Sequence, residues 1–181
     1  RDRVDDPEGG RLLARMDEAG IDITALCVVD GVRWGGSDDQ ALASNEGCAA
    51  FAARHPERMI ALAGIDPRRP QAPAMFRRCL TEFGMKGLKW HPDFGFYPNS
   101  PESLAVLKVA VEFGVPLLTH CSPLPGTSAK YAQPIHLDDV AVALPDLEII
   151  AAHLGGNGWW RDWAAIAQYK RTVSGDLAMW Q

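Results

Sequence analysis

The sequence predicts an α/β fold, a (β/α)8 barrel of the TIM type of which about six βα units are present. Short apolar runs rich in β-branched residues alternate with segments of helical spacing, recur about every 30 residues and mostly end in a polar residue. Crossovers of that length join parallel strands. Polar residues at many strand ends favour a barrel over an open, doubly wound sheet, which concentrates function at one switch point.

The elements follow one another in a regular order. The expected strands are 24–30, 58–66, 86–91, 116–120, 147–153 and 172–177. A first helix ends near Ala19, and the later helices are expected at 41–54, 73–83, 102–113, 137–144 and 160–169. Gly20, Gly84 and Gly114 each follow a helical segment, where a left-handed glycine ends a helix before the chain turns into a strand.

Length and composition indicate one globular domain over 1–181, with 47% hydrophobic and 23% charged residues. The formal net charge is −5 and no basic stripe is present, so nucleic acid is not an expected partner. No uninterrupted apolar stretch approaches the roughly 20 residues of a membrane-spanning helix. The four cysteines are irregularly spaced, which fits neither a disulfide scaffold nor paired zinc motifs and favours a reducing, cytoplasmic setting.

The candidate chemistry lies at two histidines that close consecutive strands. His120 closes Val-Pro-Leu-Leu-Thr-His, and His153 closes Leu-Glu-Ile-Ile-Ala-Ala-His. Neighbouring barrel strands end at one mouth, so we expect the two imidazoles to converge. Histidine binds divalent metals and exchanges protons near neutral pH. One such histidine is more often structural, but two in consecutive units favour a functional site, whereas His55 and His136 are expected to bind no metal.

Several sequence strings together have the order and spacing of a known family. They read MDEAGID at 16–22, AGIDP at 63–67, KGLKWHP at 86–92, PLLTH at 116–120 and PDLEIIAAHLGG at 145–156. Over nearly the whole chain, they resemble the amidohydrolase-related family that includes aminocarboxymuconate-semialdehyde decarboxylase-like enzymes. Each string alone is weakly specific, but their combination is strongly so.

The resemblance implies a distorted (β/α)8 barrel that holds a divalent metal, often zinc, with manganese as the alternative. The family's ligands are a His-x-His pair on the first strand, a histidine ending the fifth and an aspartate ending the eighth. His120 matches the fifth-strand ligand, and His153 matches the sixth-strand histidine that transfers protons or polarises the substrate. The chain contains no His-x-His. The six strands are therefore expected to be strands two to seven of an incomplete barrel, and Asp176 then lies on the seventh.

Four further residues are expected to contact a small-molecule substrate. Lys89 and His91 are two apart on one strand, so they share a face, which points into the barrel if His91 lies at the mouth. His91 is a candidate substrate contact and Lys89 a candidate carboxylate anchor, with a carbamylated metal ligand or a packing stem as its alternatives. Tyr131 in the loop after the fifth strand and Trp159 after His153 lie on the catalytic face.

Three functions remain open. The first is a metal-dependent hydrolase that acts on a small carboxylated or cyclic substrate, and the second is a non-oxidative decarboxylase in which His153 donates a proton to carbon. Some relatives open lactone rings without a metal, so the metal itself rests on the resemblance. The third is a truncated, inactive barrel or binding module, because unpaired edge strands invite association. A homodimer is suggested by analogy alone.

Overall fold

Helices and parallel strands alternate through residues 6–178, which are the residues that the computed structural model describes. The helices are α1 (Gly10–Ala19), α2 (Asp38–Ala52), α3 (Ala72–Thr81), α4 (Pro101–Phe113), α5 (Ile135–Ala143) and α6 (Gly156–Tyr169). The strands are β1 (Thr24–Cys27), β2 (Met59–Leu62), β3 (Leu88–Trp90), β4 (Leu117–His120), β5 (Ile149–Ala152) and β6 (Val173–Gly175). None of these helices is long and apolar enough to cross a membrane.

The strands lie beside one another in sequence order. β1 pairs with β2, and β3 to β6 form a second run of parallel neighbours. A parallel bridge from Ala63 to Leu88 joins the two runs, and the Lys86 N–H donates to the Ala61 carbonyl at 2.8 Å. A doubly wound sheet would reverse its strand order at a switch point, and this order does not reverse. The fold is therefore part of a (β/α) barrel, and the prediction of the fold class is confirmed.

One row of strand side chains forms the core beneath the helices. Leu88, Leu117, Ile149 and Val173 are register partners across four strands, and each is at most 5% exposed. Because successive strand residues point to opposite faces, the next row, which begins with Lys89, faces the barrel interior. Polar side chains in that row, or two residues further along a strand toward its carboxyl end, can therefore reach the mouth of the barrel.

Glycines end the helices largely as predicted. Gly20 and Gly114 cap α1 and α4 with φ values of 67° and 61°, which are left-handed. Gly84 is also left-handed, at φ 70°, but α3 already ends at Thr81, so this glycine turns the connecting segment and does not cap the helix.

The strands are shorter than predicted at their carboxyl ends. β1 ends at Cys27, before Asp30, and β5 ends at Ala152, before His153. His153 is instead the first residue of a short 3-10 turn, His153–Gly155. Polar residues that sequence patterns place on strands thus lie in the turns that follow, which is where the side chains of a barrel mouth belong.

Candidate active site

Three histidines from neighbouring βα units meet at the carboxyl edge of the sheet. His91 follows β3, His120 ends β4 and His153 follows β5. The ring centroids of His91 and His120 are 5.0 Å apart with planes inclined by 18°, and those of His120 and His153 are 5.0 Å apart with planes inclined by 66°. The structure therefore brings His120 and His153 together, and it adds His91 to the same group.

The environment of His120 leaves one ring nitrogen free. Its Nε2 lies 2.9 Å from the Ser122 carbonyl oxygen and 3.2 Å from the Ser122 hydroxyl. A carbonyl oxygen only accepts hydrogen bonds, so Nε2 carries the hydrogen and Nδ1 keeps its lone pair. Nδ1 is buried and has no partner within the described part of the chain. Burial lowers the pKa of His120 to about 4 despite nearby Asp93, so the ring is neutral at neutral pH, the form that binds metals.

Asp93 is a residue of this site that the sequence analysis did not predict. It lies in the turn Pro92–Phe94 and is 1% exposed, and within residues 6–178 neither of its carboxylate oxygens accepts a hydrogen bond. Oδ1 lies 3.4 Å from Nδ1 of His91. Burial raises the pKa of Asp93, but His91, His120 and Thr127 together lower it below its ordinary value, so the carboxylate is charged. The signal in the sequence is a carboxylate two residues after a strand-end histidine.

His91, Asp93 and His120 form a compact group, which we call the HDH cluster. The three residues offer ligand atoms that all lie within 4.8 Å of one another. His91 Nδ1, both Asp93 oxygens and His120 Nδ1 are buried without a hydrogen-bond partner in the described residues, and each such atom costs about 1–3 kcal/mol. Imidazole nitrogens and a carboxylate are donors that suit zinc and other first-row metals, so this cluster could hold a divalent ion.

His153 lies on a strained turn. Its φ is 69° and that of Leu154 is 49°, left-handed values that cost a non-glycine residue about 1–3 kcal/mol. The His153 N–H donates to Asp176 Oδ1 at 3.1 Å, so the residue after β6 holds this turn. Nδ1 of His153 faces the Ala178 carbonyl oxygen, which places the ring hydrogen on Nδ1 and leaves the Nε2 lone pair available for proton transfer.

Lys89 faces the barrel interior, two residues before His91. It is 9% exposed, and its ammonium group takes part in no ion pair among the described residues. Burial lowers its pKa, although Cys27, Asp176 and Asp93 oppose that change. A buried ammonium group can attract an anion, and the role of Lys89 as a carboxylate anchor stays a prediction.

Tyr131 and Trp159 lie at the rim. Tyr131 is part of the turn Ala129–Ala132, and its ring packs on that of Tyr97 with centroids 4.6 Å apart. Trp159 is half-buried in the first turn of α6, directly after the turn of His153. In the described residues, the rings of Tyr131 and Trp159 make no ring contact with His91, His120 or His153. The substrate contacts expected for Tyr131 and Trp159 therefore stay predictions.

The aspartates after β1 and β2 serve the scaffold. The Arg69 guanidinium donates from Nη2 and Nε to the two Asp30 oxygens at 2.6 and 2.7 Å, and both residues are less than 10% exposed. Asp66 pairs with Arg68 at 2.6 Å. These carboxylates hold the ends of the first two strands and are not part of the HDH cluster.

Comparisons with known proteins agree with this architecture. The model of a family described as amidohydrolase matches residues 5–181. No curated protein matches the sequence. A 5-carboxyvanillate decarboxylase from Novosphingobium aromaticivorans, solved with bound manganese, is similar at 25% identity and a TM-score of 0.69, over 83% of this chain and 51% of that one.

Two other solved structures share the fold. The 2,6-dihydroxybenzoate decarboxylase from Rhizobium has 22% identity and a TM-score of 0.63, over 85% of this chain and 57% of that one. An uncharacterised TIM-barrel protein from Bordetella bronchiseptica has 18% identity and a TM-score of 0.75, over 94% of this chain and 60% of that one. At these identities the likeness concerns the fold alone. The chain thus spans between half and two thirds of the length of these structures.

Proposed function

This chain is a member of the amidohydrolase family, and we propose that it carries the proton-transfer side of the active site of a metal-dependent enzyme for small carboxylated or cyclic molecules. The observation that carries the proposal is the pairing of His120 and His153. Their rings are 5.0 Å apart at the ends of neighbouring strands. In each ring, one nitrogen faces a backbone carbonyl and the other keeps a lone pair. Because a backbone carbonyl fixes the tautomer of each ring, one histidine can act as a metal ligand and the other as an acid–base group at the same barrel mouth.

In this proposal His120 is a metal ligand. Its buried, unpartnered Nδ1 and its neutral ring fit that role, because a metal requires a deprotonated nitrogen and satisfies a polar atom that otherwise has no partner. A divalent metal, when bound, supplies Lewis-acid chemistry at the substrate. Zinc and manganese are both candidates, and manganese is the ion named with the Novosphingobium decarboxylase.

His153 transfers the proton and Lys89 binds the substrate carboxylate. Nε2 of His153 is the free nitrogen, and the contact of Nδ1 with the Ala178 carbonyl oxygen holds the ring. In hydrolysis, His153 gives a proton to the leaving group, and in decarboxylation it gives a proton to the carbon that has lost carbon dioxide. The ammonium group of Lys89 lies on the interior face and without an ion pair among residues 6–178, where it can attract the carboxylate of either substrate.

Both reactions have support. Hydrolysis follows from the family to which the chain belongs, and decarboxylation is favoured by the similarity to carboxyvanillate and dihydroxybenzoate decarboxylases. Hydroxybenzoates that carry a carboxylate are therefore the first substrates to screen. The cytoplasmic setting and the homodimer stay predictions from composition and from the resemblance.

The test uses the full gene product and measures metal content and turnover together. We expect about one equivalent of zinc or manganese in the wild type, loss of metal in His120→Gln, and full metal content in His55→Gln, whose ring contacts the Glu8 carbonyl. Release of carbon dioxide from hydroxybenzoates, or hydrolysis of an ester and lactone panel, identifies the reaction. In His153→Gln, we expect metal to be retained and turnover to fall about 10²–10⁴-fold.

Three results would contradict the proposal. A wild-type protein that binds no metal and shows no turnover would leave the inactive barrel or binding module, and turnover without metal would leave a metal-independent lactonase. A His153→Gln variant with wild-type turnover would remove His153 from proton transfer.

A further inference from the structure

We propose that Arg33 holds the ring of Phe94 over the barrel mouth, and that this contact opens before a substrate reaches Lys89 and His91. Phe94 is then the gate of the site, and Arg33 is the residue that positions the gate. The inference rests on the proposed function for the location of the site, and it adds how a substrate enters. Its test measures access and not turnover, so it can fail while the proposed function stands.

The first argument is the space beside the polar groups of the mouth. A cavity of about 10 Å³ lies between Lys89, His91, Val29 and Phe94. That volume holds about one water molecule, whereas sites for small molecules have volumes of about 300–1,000 Å³. Lys89 is only 9% exposed, and His120 is only 4% exposed. A side chain at the mouth must therefore move before a hydroxybenzoate can bind among these groups.

Phe94 is the side chain placed to make this movement. Its ring stacks on that of His91, with centroids 5.0 Å apart and planes inclined by 16°. His91 stacks in turn on His120, so one half-buried phenyl ring lies over the row of histidines. Displacement of this ring enlarges the cavity and uncovers His91 in a single step.

Arg33 holds Phe94 in this position. Its guanidinium carbon lies over the ring, 5.1 Å from the centroid, and its Nη2 donates to the Gly126 carbonyl at 2.7 Å. One exposed side chain thus joins the turn after β1 to the loop after β4 across the face of Phe94. Trp34, which is 66% exposed, adds an edge contact to the same ring, with centroids 5.2 Å apart.

The two ends of this bridge are held unequally. The turn of Arg33 is fixed, because Asp30, which pairs with buried Arg69, accepts the Val32 N–H at 2.8 Å. Residues 123–126 are exposed, and within residues 6–178 their only hydrogen bond to another element is the one from Arg33. Exposed contacts of this kind are individually weak. Loss of the Arg33 contacts therefore releases the loop and the ring of Phe94 and leaves the turn after β1 in place.

Modification of histidines by diethyl pyrocarbonate in the full protein, followed by peptide mass spectrometry, tests the inference. We expect Arg33→Gln to raise the modification rate of His91 about tenfold, because it removes one hydrogen bond and one cation–π contact. His55, before β2 at the amino end of the sheet, is the internal control and should react at the wild-type rate. Arg78→Gln is the matched variant, because Arg78 also lies over an aromatic ring and also bonds a neighbour, but on α3.

Further variants separate a gate from a structural brace. Phe94→Ala should raise the His91 rate at least as much as Arg33→Gln does, and the double variant should react no faster than Phe94→Ala, because both changes act through one ring. Arg33→Lys keeps a cation and a donor, so its rate should stay within about threefold of the wild type. Circular dichroism establishes folding, and Phe94→Leu replaces Phe94→Ala if that variant does not fold.

Two outcomes would overturn the inference. One is a wild-type His91 rate in both Arg33→Gln and Phe94→Ala, which would show that neither side chain limits access. The other is an equal rise in Arg33→Gln and Arg78→Gln, which would show a general loosening of the protein. Both outcomes leave the proposed function intact, because failure of that proposal appears in metal content and turnover.

Discussion

Replacing Arg69 with methionine should reveal how the ends of β1 and β2 are held. Arg69 is 4% exposed and donates to both Asp30 oxygens, at 2.6 and 2.7 Å, and to Asp38 at 2.6 Å. Methionine keeps much of the volume but, among residues 6–178, leaves Asp30 with only the N–H groups of Val32 and Asp66, each at 2.8 Å. Breaking a buried pair costs about 3–5 kcal/mol, and because these two donors remain we expect about 3 kcal/mol.

Urea unfolding followed by circular dichroism measures the loss. Arg77→Met is the matched control, because Arg77 makes a two-bond pair with Glu112 at the surface, where a pair contributes about 0–1 kcal/mol. Asp30→Asn added to Arg69→Met should recover part of the loss, since it removes the charge left without a partner. A loss in Arg69→Met below about 1 kcal/mol, no larger than that in Arg77→Met, would refute the reasoning.

The remaining predictions concern packing and thiol exposure. A Cβ on Gly64 would lie 2.2 Å from the Val28 carbonyl oxygen, so Gly64→Ala should cost at least about 1–3 kcal/mol in the same urea experiment. Gly47→Ala, at an exposed position of α2 with open space around it, should be neutral or gain up to about 1 kcal/mol. Equal losses of stability in Gly64→Ala and Gly47→Ala would contradict the packing described for Gly64. Iodoacetamide at pH 8 should label exposed Cys27 faster than buried Cys121, and mass spectrometry detects the difference. Burial raises the pKa of both thiols, that of Cys121 to about 12, so the expected contrast follows mainly from exposure.

Local sequence patterns were sufficient for the order of elements and for part of the site. Alternating β-branched runs and helical spacing predicted the six strands and their parallel arrangement, because periodicity records which face of each element is buried. His120 and His153 could be found for the same reason, since each closes an apolar run at one end of the sheet. The family followed from several strings in a fixed order, and the match over residues 5–181 confirms it.

Asp93 was missed because its role depends on distance through space. It lies in a short turn without periodicity, and its burial follows only from the packing of that turn on the β4 end. His91 was placed at the mouth, but only the structure shows its Nδ1 3.4 Å from Asp93 Oδ1. The tautomers of His120 and His153 likewise depend on which carbonyl each ring meets.

The sequence by itself determined the order and approximate positions of the strands, which of their faces are apolar and which histidines reach the mouth of the barrel, whereas the exact carboxyl ends of the strands came from the structure. The tertiary structure alone decided which polar atoms at that mouth are left without partners. The physical reason is that hydrophobic periodicity is a property of one segment, whereas the environment of His120 depends on the register between neighbouring strands and on the turns that close over them.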